Sequence, residues 1–283
     1  MKERITITLD SELITQIDKR IDGNIIKNRS QQIELLLTKS LGTYRPEKAV
    51  ILVGGKRVKK TIIPKLPNCM LELQGRTILE HIFDLLKKYG IRDVILNVGY
   101  LKDKVKEYYS DGTKFGVNIT YIEEEEPLGT AGSLKLAKEF LKDSFIVTNG
   151  DELKNINIPR MFRLHKRKNA LATIALTTAR DPSQYGVARL SGSRILDFVE
   201  KPKIDEEPSN LINAGFYILE PEILSVIPSG YSMLEKDVFP KLAKEGRLRG
   251  FPFAGQWLDI RNTERYEAAK KRWMGVSPYG EDE

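Results

Sequence analysis

Cysteine and histidine are almost missing from this 283-residue chain, which holds one Cys, Cys69, and two His, His81 and His165. One thiol cannot close an internal disulfide, and two imidazoles leave little for a zinc site, so any bound metal is expected to be oxygen-ligated. No apolar run is long enough to cross a bilayer, and the start of the chain lacks a charged-then-apolar leader pattern. A soluble, cytoplasmic protein with no membrane partner is therefore expected. With 41% hydrophobic and 30% charged residues the chain can bury a full core. Its net charge of +7 suits a polyanionic partner, though a solvated surface also carries such an excess.

The apolar run Phe145-Ile146-Val147-Thr148 stops abruptly at Asn149-Gly150-Asp151. A short apolar run closed by a turn signal reads as a buried parallel strand, and ligands gather at the carboxyl ends of such strands. Asp151 is therefore expected at a cleft rim, where a carboxylate can hold a hard divalent cation bridging phosphate oxygens.

The first forty residues follow a different pattern. Arg4-Ile5-Thr6-Ile7-Thr8-Leu9 alternates polar and apolar, which predicts a half-buried strand with Arg4, Thr6 and Thr8 on one face. Asp10-Ser11 caps a helix with Leu13, Ile14, Ile17 and Ile21 at helical spacing, ending at Gly23. Asn28-Arg29-Ser30 caps a second helix bearing Ile33, Leu36, Leu37 and Leu41. One strand leaves both edges unpaired, so the segment is expected to pair with a second copy of itself. The pattern resembles the ribbon-helix-helix family of DNA-binding repressors. That resemblance implies that Arg4, Thr6 and Thr8 read base edges of double-stranded DNA and that the backbone at Arg29-Ser30 holds a phosphate. The alternative is a dimerisation module with no DNA function.

From Ala49 onward, strands alternate with helices. Ala49 to Val53 reads as a buried strand running into Gly54-Gly55, a turn that lets backbone amides approach phosphates. A helix over 77–89, a strand over 94–98, a helix over 101–109, a strand over 119–122 and a helix over 133–141 precede the strand that ends at Asp151. This spacing predicts a doubly wound, mostly parallel α/β sheet.

Six motifs then occur in order: 126–133 (Glu-Pro-Leu-Gly-Thr-Ala-Gly-Ser), 149–151 (Asn-Gly-Asp), 185–187 (Tyr-Gly-Val), 199–202 (Val-Glu-Lys-Pro), 213–215 (Asn-Ala-Gly) and 257–259 (Trp-Leu-Asp). The series resembles the sugar-1-phosphate nucleotidyltransferases, especially the mannose- and glucose-1-phosphate branch, over about residues 49–273. That family has a nucleotide-diphospho-sugar transferase fold. It joins a nucleoside triphosphate to a sugar 1-phosphate with Mg2+, giving a nucleotide sugar and pyrophosphate.

The resemblance implies roles for individual residues. Asp151 and Asp259 ligate Mg2+; Glu200 accepts from sugar hydroxyls; Lys201 pairs with the sugar phosphate. Gly186 and Gly215 admit the sugar, Asn213 holds a hydroxyl, and the loop Gly129-Thr130-Ala131-Gly132 passes against base and ribose. The chemistry is consistent with these roles, because an anionic sugar phosphate already is a nucleophile and needs cations and oriented carboxylates. The chain departs from the family at the first loop. Gly54-Gly55-Lys56-Arg57-Val58-Lys59-Lys60 lacks the family's second Gly and its Thr, and the family's Lys falls on Asn68. Lys56, Arg57, Lys59, Lys60 and Lys65 are the neighbouring cations available to replace it, with Arg57 and Lys65 taken as the catalytic candidates beside Lys201.

The expected organisation is a ribbon-helix-helix domain over 1–42, a linker over 43–48 and a sugar-nucleotidyltransferase-like domain over 49–283, assembled at least as a homodimer through the ribbon. The expected function is nucleotidyl transfer to a hexose 1-phosphate. The alternative is a DNA-binding regulator whose altered domain senses a sugar nucleotide or sugar phosphate without turning it over.

Overall fold

The computed structural model describes residues 5–21, 26–40, 45–54, 62–63, 65–203 and 206–277. The chain divides into two compact units, Met1–Tyr44 and Arg45–Glu283.

In the larger unit, β1 (Lys48–Leu52) starts the main sheet. A small hairpin of β2 (Glu72–Leu73) and β3 (Arg76–Thr77) follows. It leads into the helix Ile78–Lys88, which Thr77 and Glu80 close with a reciprocal capping box. Next come β4 (Asp93–Val98) and β5 (Asn118–Glu123) on either side of the helix Lys102–Tyr109. After them lie β6 (Phe145–Asn149), β7 (Glu152–Lys154), β8 (Ala172–Thr178), β9 (Gly186–Ser191) and β10 (Arg194–Glu200). β11 (Leu211–Leu219), β12 (Leu248–Pro252) and β13 (Trp257–Asp259) complete the set. The main sheet has the order β5-β4-β1-β6-β11-β8-β12-β10-β9.

The half built on β5, β4, β1 and β6 is parallel throughout. The other half is not: β11 runs antiparallel to both β6 and β8, and β10 is antiparallel to β12 and β9. The expectation of a mostly parallel sheet thus holds for β5, β4, β1 and β6 and again for the β8–β12 pair, and fails at the pairings of β11 and β10. A long run buried on both faces, such as Leu211–Leu219, reads the same in either direction.

Apolar side chains fill both faces, as a sheet covered on each side requires. Ala49, Ile51, Leu96 and Ile146 pack under Leu79, Phe83, Met161 and Trp273, while Val50, Val147, Ile174 and Tyr217 pack against Leu134, Phe239 and Leu242. The helix expected over 133–141 is a run of 3-10 turns, Ser133–Phe140.

In the smaller unit, Asp10 caps the helix Ser11–Asp18 by accepting from Glu12 N, and a second helix spans Arg29–Ser40. The expected strand differs: residues 5–10 form no regular element in the single chain. Among the described residues no strand pairs with this segment to take up its backbone hydrogen bonds. Ile5, Ile7, Leu13 and Leu37 are exposed, whereas Ile17 is buried.

Candidate active site

The carboxyl end of β6 carries the site. Gly150 lets the chain pass β1 closely, since a Cβ there would lie 2.3 Å from Val53 Cγ1. Its N–H donates to Leu52 O at 3.0 Å. Asp151 follows, and β7 then pairs antiparallel with β13 in the register Glu152↔Asp259 and Lys154↔Trp257. Ile260 N donates to Asp151 O at 3.2 Å, so the ladder brings the two aspartates predicted from sequence to one place.

Their carboxylates differ. Asp151 accepts no side-chain hydrogen bond among the described residues, and burial, then the charges of Glu152 and Asp259, push its carboxyl up to about 7. Asp259, 5% exposed, is held by guanidinium groups. Arg261 Nε and Nη2 donate to its Oδ2 at 2.8 and 2.7 Å, Arg261 N donates to Oδ1 at 2.9 Å, and Tyr185 OH donates to Oδ2 at 3.3 Å. Arg265 Nη1 also donates to that Oδ2. Burial opposes the charge on Asp259, but these hydrogen bonds and the two cations hold its carboxyl below the usual range. Both guanidinium groups lie over the Tyr185 ring, at 5.0 and 5.2 Å from its centre.

Glu152 is fully engaged beneath them. It accepts from Asn149 Nδ2 at 2.8 Å, Trp257 Nε1 at 3.0 Å and Lys154 Nζ at 3.4 Å. Lys154 is buried and also donates to Thr148 Oγ1 and Gly215 O, at 3.2 and 3.0 Å. Gly215, at φ +57°, leaves no space for a side chain, because a Cβ would lie within 2.6 Å of both Glu152 carboxylate oxygens. Sequence reasoning assigned Gly215 to the sugar; the structure places it against this charged pair.

The acceptor residues are arranged around β10 and β11. Glu200 pairs in register with Gly186, and a Cβ at Gly186 would lie 2.9 Å from Glu200 Oε2. Burial, then the charge of Glu235, raises the Glu200 carboxyl. Its one ionic neighbour among the described residues is Lys201 Nζ at 3.8 Å. Lys201 itself is exposed and takes φ 50°, which turns the chain out of β10. Behind them runs a closed chain that sequence reasoning missed. Thr130 Oγ1 donates to Glu235 Oε2 at 2.6 Å, Tyr217 OH to Glu235 Oε1 at 3.1 Å, and Asn213 Nδ2 to Tyr217 OH at 2.8 Å. Asn213 Oδ1 accepts from Gly215 N at 3.0 Å, so both ends of that amide are used within the β11 irregularity. The one signal for Glu235 was a carboxylate placed between apolar Leu234 and Val238.

The Gly129–Gly132 helix turn rests on the segment before Glu235. Ala131 N and Gly132 N donate to Ser232 O, and Cβ atoms at Gly129 and Gly132 would each lie 2.4 Å from a backbone oxygen. Gly54 adjoins the buried Glu124, which accepts from Asn97 Nδ2 at 2.6 Å. Gly55 and Arg57 lie outside the described residues, as does Arg4 in the smaller unit. Lys65 is exposed, at φ 62°, and no bond from its ammonium reaches the aspartates among the described residues. Asn68 Oδ1 is buried without a partner, and the next residue, Cys69, senses the Asp151 charge, so this turn adjoins the cluster.

In the smaller unit, Thr6 and Thr8 are exposed. The Arg29 guanidinium pairs with both Asp18 oxygens at 2.7 Å, and Asn28 caps the second helix by accepting from Gln31 N. Arg29 and Ser30 are the first two residues of that helix, whose amides have no intrahelical acceptor.

The donor set around Asp151 is all oxygen and its carboxylate is unpartnered, which fits a hard divalent cation. No group of three or more acidic, His or Cys ligands exists among the described residues, so phosphate and water oxygens would complete the shell.

Comparison with known proteins places this geometry. The family described as nucleotidyl transferase matches residues 48–274. A mannose-1-phosphate guanyltransferase of Yarrowia lipolytica is 39% identical over 223 residues, 75% of this chain and 60% of that protein. A UTP--glucose-1-phosphate uridylyltransferase of Synechocystis is 35% identical over 241 residues, 77% of this chain and 61% of that protein. The chain thus spans about 60% of the length of these curated relatives. Among solved structures, HddC from Yersinia pseudotuberculosis superposes with a TM-score of 0.67 at 26% identity, over 80% of this chain and 99% of that one. A UDP-glucose pyrophosphorylase complexed with UDP-glucose superposes with a TM-score of 0.70 at 21% identity, over 80% and 97%, and shares the fold.

Proposed function

We propose, from the premise that the chain belongs to the nucleotidyl transferase family, that it joins a nucleoside triphosphate and a hexose 1-phosphate into a nucleotide sugar and pyrophosphate. The observation that carries this reading is the β7–β13 ladder, which sets the unpartnered Asp151 carboxylate beside Asp259 at the end of β6. Asp151, with the acceptor capacity left on Asp259 Oδ1, would hold Mg2+, which supplies charge neutralisation at the phosphates when bound. Glu200 receives sugar hydroxyls, and the exposed Lys201 ammonium meets the sugar phosphate. Thr130 and Gly132, braced by Glu235 and Ser232, form the wall for base and ribose. The mannose–guanylyl and glucose–uridylyl relatives name the first substrate pairs to try. Purified protein is incubated with Mg2+, GTP and mannose 1-phosphate, or UTP and glucose 1-phosphate, and the products are separated by anion exchange. A nucleotide sugar is expected; its absence from a panel of all four triphosphates with both sugar phosphates contradicts the proposal.

A second reading draws on Asp259, whose Oδ2 is already bonded by two arginines. On this reading the large domain binds a nucleotide sugar without turnover and regulates the N-terminal unit as a DNA-binding ribbon-helix-helix dimer. The alternation of exposed Ile5 and Ile7 with exposed Thr6 and Thr8 supports that pairing, one face meeting the second copy and the other the DNA. A gel shift with genomic fragments, repeated with nucleotide sugar, distinguishes the readings: turnover without DNA affinity supports the enzyme, and DNA affinity that shifts without turnover supports the regulator.

A further inference from the structure

With Asp151 ionised, as a metal ligand must be, the charges beside it balance without any bound ion. Three carboxylates, Asp151, Glu152 and Asp259, face three cationic side chains, Lys154, Arg261 and Arg265. Lys154 is committed to Glu152 and to the Gly215 carbonyl. Arg261 is the cation that grips Asp259 most fully and still reaches solvent. Its side chain is 37% exposed, against 2% for the Asp259 carboxylate it holds, and it feels Asp259, Glu152 and Asp151 together.

We infer that Arg261 is the resident counter-ion of the metal pocket, so that the pocket takes up a divalent cation only together with phosphates. A bare divalent ion would add two positive charges to a neutral cluster and meet the guanidinium on Asp259 Oδ2. A cation carrying a triphosphate arrives with net negative charge. Its phosphate oxygens give the guanidinium a new bidentate partner as it leaves Asp259. Arg265, also on Oδ2, and the Tyr185 ring beneath both guanidinium groups keep the cluster assembled meanwhile. Arg261 acts here as a positioning residue that sets the order of binding.

This inference rests on the nucleotidyl-transfer reading, and Mn2+ uptake followed by the loss of its free electron paramagnetic resonance signal tests the two separately. Wild-type protein with Mn2+ alone is expected to bind weakly, and adding GTP or UTP is expected to bring Mn2+ onto the protein. Arg261→Gln is expected to bind Mn2+ alone about tenfold or more tightly than wild type, as loss of a charge-assisted pair implies, while Arg261→Lys keeps the wild-type weakness. Equal affinity for Mn2+ alone in wild type and Arg261→Gln overturns the inference and leaves the enzymatic reading standing. No Mn2+ uptake by wild type even with the triphosphates overturns that reading and the inference with it. Circular dichroism verifies that each variant folds; where Arg261→Gln does not, Arg261→Met removes the same guanidinium with its stem kept and gives the same comparison.

Discussion

Behind Glu200, whose own carboxylate has only Lys201 at 3.8 Å among the described residues, one polar network is partnered within the chain: Thr130, Glu235, Tyr217 and Asn213 are joined in series by hydrogen bonds of 2.6, 3.1 and 2.8 Å, while Ser133 Oγ and Ser232 Oγ beside it are buried without partners. On the Asp151 side, one carboxylate has no hydrogen bond among the described residues and its neighbour is neutralised by borrowed guanidinium groups. A closed network fixes a shape and needs nothing from a ligand. An open one stores unmet electrostatic demand, and perturbed carboxyls cluster where charge is to be handled. On the proposed nucleotidyl-transfer reading, the comparison makes the sugar end a preformed mould and the phosphate end a site completed by its substrates.

The hardest blow to this contrast is Asp151→Asn. It removes the unpartnered charge, and pyrophosphate release is expected to fall about a thousandfold, while sugar 1-phosphate affinity, measured by calorimetry, stays at the wild-type value. An equal loss in both would show that the two halves are not separate.

The same substitution tests the stored demand through pH. Asp151 holds its proton up to about 7 in the folded chain, against about 4 when unfolded. Folding therefore favours the protonated form, and this contribution to stability is full at low pH and is lost as the pH rises through 7. Metal-free Asp151→Asn, which cannot ionise, is expected to be more stable than wild type at pH 8 by at most about 4 kcal/mol, less whatever the solvent reaching this half-buried side chain screens, with the difference vanishing near pH 4. Urea denaturation at the two pH values measures it; a constant difference contradicts the assignment.

How much of this was visible beforehand follows the same division. Asp151 was legible because an apolar run ending in Asn-Gly-Asp marks the end of a buried strand, and Glu200 and Lys201 because they sit in an ordered series of motifs. Glu235 and Tyr217 were not, since a lone carboxylate and a Tyr inside a long apolar strand show no spacing that announces their pairing across 18 residues. Arg261 and Arg265 lay in plain sight two and six residues after Asp259, yet charges near a turn read as solvated surface until a fold shows what they touch. Of the strand expected over residues 4–9, the described residues 5–9 form no regular element, because alternation marks which side chains share a face and not whether a neighbouring strand is there to pair. The antiparallel insertion of β11 is invisible because burial on both faces erases direction.

Smaller effects sharpen the rigid side. Thr130→Val removes the donor to Glu235 Oε2 and the acceptor of Leu234 N, and is expected to cost about 1–2 kcal/mol of stability, read from the urea midpoint. Lys201→Ala removes an exposed ammonium whose one salt-bridge partner among the described residues is Glu200 at 3.8 Å, and is expected to raise KM for the sugar phosphate about tenfold with little change in the urea midpoint. A KM unaffected by Lys201→Ala would move the sugar phosphate away from β10.

The most direct test of a substrate-completed phosphate end beside a preformed sugar end is steady-state pyrophosphate release with Mg2+ and a triphosphate, with and without sugar 1-phosphate. The account predicts release that requires both substrates in wild type and is lost in Asp151→Asn. Release from the triphosphate alone, or equal release from wild type and Asp151→Asn, would contradict it.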